Sequence, residues 1–209
     1  MNTVQKKNPL YKVTASLLNS WGYLWQARDE YSVEAYESFL KTLQRIKEPP
    51  TFYMQRGIDF EEACVNGQVP EIFEIIRDGT FQYYAEKDLK VDGLDIRLLG
   101  YLDVLKAGHI YDIKRTNQYD LQKYFPSYQH HAYFALVPEA IDFTYLIAYG
   151  RNDDYLSFAE EKYDRDEATP IEEIIHSFFV WLKEMDLFET YKKHWQIDQE
   201  KKGDDLIEL

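Results

Sequence analysis

Two short turn signals, Asp92-Gly93 and Ala107-Gly108, divide the middle of the chain into three β-rich runs, and this division constrains the fold more than any other feature. The runs cover about Phe81 to Glu86, Ile96 to Leu105 and Ile110 to Arg115. Parallel neighbours need a long crossover, whereas antiparallel ones accept a tight turn, so the segment reads as an antiparallel meander.

Helical periodicity brackets the meander. Leu17, Leu18, Trp21 and Trp25 recur at helical spacing behind Thr14, a good N-cap residue. A second amphipathic helix runs from about Ser32 to Lys47 through Val33, Tyr36, Leu40 and Leu43, and Pro49 and Pro50 end it. A third covers about Gln55 to Asn66 and closes at Gly67, and a short one through Ile72, Phe73 and Ile76 stops at Asp78-Gly79. Beyond the meander, Pro126 opens a helix of about Ser127 to Val137. Phe143 to Tyr149 and Tyr155 to Glu160 read as strands, and one long final helix covers about Pro170 to Lys193. Residues 1–195 thus read as a single α/β domain with helices before and after a mixed sheet, and the polar segment 196–209 as a poorly ordered tail.

Composition narrows the chemistry. No apolar run approaches the length of a bilayer helix and the N-terminus lacks signal-peptide character, so a soluble, cytoplasmic protein with no membrane association is expected. The single cysteine, Cys64, excludes an intrachain disulfide, a Cys-rich zinc site and a four-cysteine iron–sulfur cluster; a metal would need oxygen or imidazole ligands. The net charge of -13 argues against a polyanionic partner, but it is uneven: residues from Arg151 onward carry a net -9 and residues 1–150 only -4. Before Asp29 there are bases alone, Lys6, Lys7, Lys12 and Arg28, so the amino-terminal region could face a polyanion.

Asp103 lies among apolar residues in Gly100-Tyr101-Leu102-Asp103-Val104-Leu105, and Asp112 and Lys114 share one face of the next run. A hairpin would bring the two aspartates together. Their repulsion is relieved by a hard cation such as Mg²⁺ or Mn²⁺, and a lysine beside it suits phosphate-ester hydrolysis. Alone, Asp112 and Lys114 are also an ordinary charge pair of a solvated strand face. Glu61 adds weight, because it falls on the stripe Met54, Ile58, Glu61, Val65, where an inward-facing helix would carry apolar residues. Gly57 leaves room on the same face. Gln129 and Tyr133, one turn apart, are polar among Ala132 and Leu136. His130 and His131 point about 100° apart on a helix and suit packing or surface roles rather than one ion. His109, His176 and His194 show no ligand spacing, Cys64 reads as core, and no Walker, dinucleotide or nucleophile-elbow motif is present.

In order, Gly57-Ile58-Asp59-Phe60-Glu61, Gly100-Tyr101-Leu102-Asp103, Asp112-Ile113-Lys114 and Gln129-His130-His131-Ala132-Tyr133 resemble the motifs of the PD-(D/E)XK nuclease superfamily, in its RecB-like branch. The resemblance covers roughly Gly57 to Tyr149 and extends loosely to the helix around Ser16. It implies a restriction-endonuclease-like fold, with a mixed β-sheet built on a meander and flanked by helices. It also implies Glu61, Asp103, Asp112 and the Ile113 carbonyl as Mg²⁺ or Mn²⁺ ligands, with room for two metals, and Lys114 as the residue that positions or activates water. Gln129, Tyr133 and Arg115 would face DNA. Glu61 stands where many RecB-like members carry histidine, which is similar to phage-type exonucleases, and the cluster-binding cysteines of some relatives are absent.

The resemblance therefore implies a DNA nuclease of phage or prophage type in recombination or repair, acting as a homo-oligomer or with a phage recombination partner. The alternatives are a nuclease-fold DNA-binding or assembly protein without turnover, an endonuclease on branched or single-stranded DNA, and a hydrolase of RNA or small phosphoesters.

Overall fold

A computed structural model describes residues 9–27, 31–120, 124, 126–153 and 155–197. Seven strands form one mixed sheet: β1 (Leu10–Thr14), β2 (Thr80–Val91), β3 (Leu94–Lys106), β4 (His109–Thr116), β5 (Asp142–Tyr149), β6 (Ser157–Asp164) and β7 (Gln196–Ile197). The order is β6-β5-β4-β3-β1-β7, with β2 also paired to β3. Around it lie α1 (Ala15–Gln26), α2 (Ser32–Leu43), α3 (Phe52–Val65), α4 (Pro70–Ile76), α5 (Gln129–Leu136), α6 (Ile171–Glu184) and α7 (Phe188–Trp195). None of the described helices is long and apolar enough to cross a membrane.

The meander forms as expected. β2 and β3, and then β3 and β4, are antiparallel hairpins. At each turn both central residues have positive φ, 50° and 79° at Asp92-Gly93 and 51° and 83° at Ala107-Gly108. That conformation matches the right-handed twist of the flanking strands. β5 then runs parallel to β4, reached through α5, and β6 returns antiparallel to β5.

The far edge of β3 is shared between two neighbours. Asp95–Leu99 pairs with β1 in parallel, whereas only Val104, Leu105 and Lys106 pair with β4. Residues 100–103 lie between these two ladders. At the same level the β2–β3 ladder lacks the pair Gln82/Asp103, and Gln82 has φ 49°. Both strands change face at this step: Tyr83, Ala85 and Leu102 pack in the larger apolar cluster, Phe81 and Val104 in the smaller.

The larger cluster joins one face of the sheet to α1, α2, α5, α6 and α7, with Leu17, Phe39, Phe143, Phe178 and Tyr191 fully buried. Each such side chain contributes roughly 1.5–3 kcal/mol by leaving water. The smaller holds α3 and α4 against the other face through Phe60, Cys64, Ile72 and Ile76. Trp21 stacks on Tyr128 at 5.3 Å, pressing α1 against the start of α5.

Several elements differ from the sequence reading. β1 is an additional strand, and its Lys12 is buried, so this base is not available to a polyanion; Lys6, Lys7 and Arg28 lie outside the described residues. α2 stops at Leu43 instead of Lys47. Arg45 takes φ 54°, Arg45 N–H bonds Thr42 O and Ile46 N–H bonds Lys41 O, a complete Schellman cap before the prolines. The final helix is two, because Asp186 (φ 56°) caps α6 in the same way, with Leu187 N–H on Leu182 O. Gln196 and Ile197 pair with β1, and residues 198–209 lie outside the described set. The stripe through Met54 and Ile58 does not face inward: both side chains are exposed, and α3 packs through Phe60 and Cys64.

Two glycines should respond oppositely to alanine. A Cβ at Gly100 would sit 2.9 Å from the Tyr133 ring and 3.1 Å from Leu136, so Gly100→Ala is expected to cost roughly 1–3 kcal/mol. At Gly57 a Cβ meets nothing within 4 Å, and Gly57→Ala is expected to stabilise α3 by up to about 1 kcal/mol. Urea unfolding midpoints check both; movement in the same direction would contradict this packing.

Candidate metal centre

The place where β3 and β4 part is bridged by a side chain. Asp103 Oδ2 accepts the Ile113 N–H at 2.8 Å, so a carboxylate takes the backbone donor that the ladder leaves over. Tyr133 satisfies the other strand, its hydroxyl donating to Tyr101 O at 2.6 Å.

Asp112, next to Ile113, is fully buried on the α5 side of the sheet. Its Oδ1 accepts from Gln129 Nε2, and its Oδ2 meets the Lys114 ammonium as an ion pair without a well-directed hydrogen bond. The Lys114 ammonium also lies 5.9 Å above the Tyr145 ring. Gln129 is held in turn by Asn19, whose Nδ2 donates to Gln129 Oε1 at 3.4 Å and whose Oδ1 accepts from Tyr128 N–H at 2.9 Å and Ser127 Oγ at 3.1 Å. The α1–α5 contact thereby reaches the aspartate.

Glu61 comes from α3, and its Oε1 accepts from Gln82 Nε2 at 2.5 Å. Glu61, Asp103, Lys114, Gln129 and Tyr133 line one cavity of about 440 Å³, together with Gln82 and Asn19; Asp112 lies beneath its wall. Of the residues singled out in the sequence, Arg115 is the one placed elsewhere. Its side chain is only 1% exposed and bonds Gly150 O at 2.8 Å and Asp153 at 2.7 Å, fastening the loop after β5. Ile113 contributes its N–H here, while its side chain packs in the smaller cluster.

His130 and His131 behave as packing residues. His130 stacks on Tyr163 at 4.2 Å, and burial lowers the proton affinity of His130 and His131 to pKa values of about 3 and 4. Burial pushes the Cys64 thiol up to about 12, with Glu61 adding to it, which keeps it unreactive in the core.

Electrostatically, three carboxylates share one ammonium. Burial raises Glu61, Asp103 and Asp112 above the usual carboxylate range; Lys114 opposes this in each, and Asp112 adds to the rise at Asp103. Burial alone would lower Lys114, but Asp112 and Asp103 outweigh it and the ammonium is held more firmly protonated. Each carboxylate is turned to a protein donor, and among the described residues no three acidic, imidazole or thiol groups form a ready-made metal shell.

Gln82, Asn19, Ser127 and Tyr145 belong to this arrangement and were not singled out in the sequence. Asn19 had a signal, a carboxamide beside the apolar stripe of an amphipathic helix; Gln82 and Tyr145 look like ordinary strand residues.

Fold and site together define an α/β protein with a mixed central sheet, flanking helices and a carboxylate–lysine cavity where two strands diverge. No family model matches the sequence, and no curated protein does. The fold is similar to that of SSO0001 (TM-score 0.52, 13% identity, 88% of this chain and 79% of that one). It is also similar to LHK-Exo, an alkaline exonuclease from Laribacter hongkongensis (TM-score 0.51, 18% identity, 87% of this chain and 92% of that one). At these identities the likeness is one of fold.

A buried carboxyl that binds its proton more tightly in the folded chain stabilises the fold while protonated. That stability is present below the unfolded value of about 4 and is lost as pH rises through the folded value. Asp103→Asn, which keeps an oxygen for Ile113 N–H, is therefore expected to melt a few degrees above wild type at neutral pH in EDTA. The gap should close as the pH falls below 4; thermal melts that stay parallel across pH would refute it.

Proposed function

We propose that the chain is a divalent-metal-dependent DNA nuclease of the PD-(D/E)XK kind with a restriction-endonuclease-like fold. The observation that carries this reading is the convergence of Glu61, Asp103 and Lys114, from α3, β3 and β4, on one cavity above the buried Asp112. The donor set suits a hard cation. It is oxygen-only, and three carboxylates against one ammonium leave a charge that a divalent ion balances.

Glu61, Asp103, Asp112 and the main-chain carbonyl of Ile113 would hold Mg²⁺ or Mn²⁺, freeing Lys114 from Asp112. When bound, the cation supplies Lewis acidity at the phosphate and a lowered pKa for water. Lys114, kept protonated by its acidic neighbours, stabilises charge developing on the phosphoryl oxygens or orients the attacking water. Gln129 and Tyr133 hold Asp112 and the β3 backbone in place from below the DNA strand. We read the enzyme further as a phage or prophage type exonuclease of recombination or repair, working as a homo-oligomer or beside a recombination partner. The naming of LHK-Exo as an alkaline exonuclease supports the exonuclease part.

Purified protein with Mg²⁺ or Mn²⁺ should degrade linear duplex, single-stranded or branched DNA, and resistance of covalently closed circular DNA separates exonuclease from endonuclease action. Asp112→Asn and Lys114→Ala should each lower the rate by roughly 100-fold or more without changing the circular dichroism spectrum. A wild type that leaves all three DNAs intact, or variants as active as wild type, would sink the nuclease reading.

A further inference from the structure

Inside β2, Gln82 adopts a left-handed backbone conformation with φ 49°. A residue with a Cβ is disfavoured there, glutamine more than asparagine or glycine, and such a conformation persists only where surrounding structure enforces it. The ladder shows what is obtained. Phe81 pairs with Val104 and Tyr83 with Leu102, but the intervening Gln82 and Asp103 do not pair, and both strands change face at that step.

The consequence is local to the cavity. Released from the ladder, Asp103 turns its carboxylate to Ile113 N–H, and Gln82 sends its carboxamide across to α3, where Nε2 donates to Glu61 Oε1 at 2.5 Å. One irregular step of β2 thereby orders two carboxylates that come from different elements. The donor is neutral: unlike Lys114 at Asp112, the carboxamide fixes Glu61 without cancelling its charge. It also engages one carboxylate oxygen only from the side of β2, so the carboxylate stays directed into the cavity that Gln82 itself lines. Phe60 and Cys64 anchor α3 while Met54 and Ile58 are exposed, so Glu61 lies at the edge of the packed face and the carboxamide is what fixes its side chain.

We propose that Gln82 is a positioning residue for divalent-cation binding, and that its left-handed conformation is retained because it aims the carboxamide at Glu61. This rests on the nuclease reading and assigns a role to a residue outside the carboxylate–lysine set.

The test compares Mn²⁺ binding by calorimetry with thermal unfolding in EDTA, using the full chain. Gln82→Gly accepts positive φ and lacks the carboxamide. It should unfold at or above the wild-type temperature without metal, yet bind Mn²⁺ about tenfold more weakly. In cleavage, the Mn²⁺ concentration for half-maximal rate should rise, with most of kcat recovered at saturation. Gln82→Asn, which tolerates the same backbone but is one methylene shorter, should show the same loss and stands in if the glycine variant fails to fold. Wild-type affinity in either folded variant overturns the role of Gln82. A wild type that binds no Mn²⁺ overturns instead the nuclease reading beneath it.

Discussion

The hydrogen bond from Ile113 N–H to the Asp103 carboxylate is the interaction on which the rest of the site depends. β3 pairs with β4 only through Val104, Leu105 and Lys106 and with β1 through Asp95–Leu99, which leaves residues 100–103 without either partner on that edge. Where the strands part, backbone groups lose their partners, and a buried orphan of this kind costs as much as a lost hydrogen bond. Asp103 and the Tyr133 hydroxyl fill two of these places, one on each strand. The opening then becomes a polar cavity instead of a defect.

That solution leaves an electrostatic debt. Asp103 and Asp112 are brought together in a half-dry setting, Glu61 arrives from the other layer, and Lys114 is the nearby cation that opposes their charge. Burial raises the proton affinity of every acid in the group, neighbouring carboxylates add to it at Glu61 and Asp103, and Asp112 and Asp103 hold Lys114 protonated. This imbalance, three carboxylates against one ammonium, is what the proposed divalent-metal reading rests on.

Legibility varied with the physical signal. The end of α3 was readable because Gly67, at φ 77°, is the residue a Schellman cap favours; α2 and α6 close with the same hydrogen bonds around Arg45 and Asp186, residues that carry no such signal. β1 carries little strand signal because it is five residues long with a lysine at its centre. Glu61 falls on an apolar stripe that is exposed at Met54 and Ile58, although the residue does line the cavity. Arg115 alternates with Lys114 along β4, so it points to the opposite face and is used up by the loop at Asp153.

By itself the sequence determined the meander, through turns that only antiparallel neighbours accept, and the adjacency of Asp103 with Asp112, through the period of two along paired strands. It also determined that Asp112 and Lys114 share a face. Only the tertiary structure decided that β3 leaves β4 at Val104 and pairs instead with β1 along Asp95–Leu99, a strand distant in sequence. It likewise decided that Gln82 reaches the Glu61 carboxylate and that Asn19 reaches Gln129, which holds Asp112. Those contacts join residues 21 and 110 positions apart, and their partners are set by how layers pack, for which no local pattern exists.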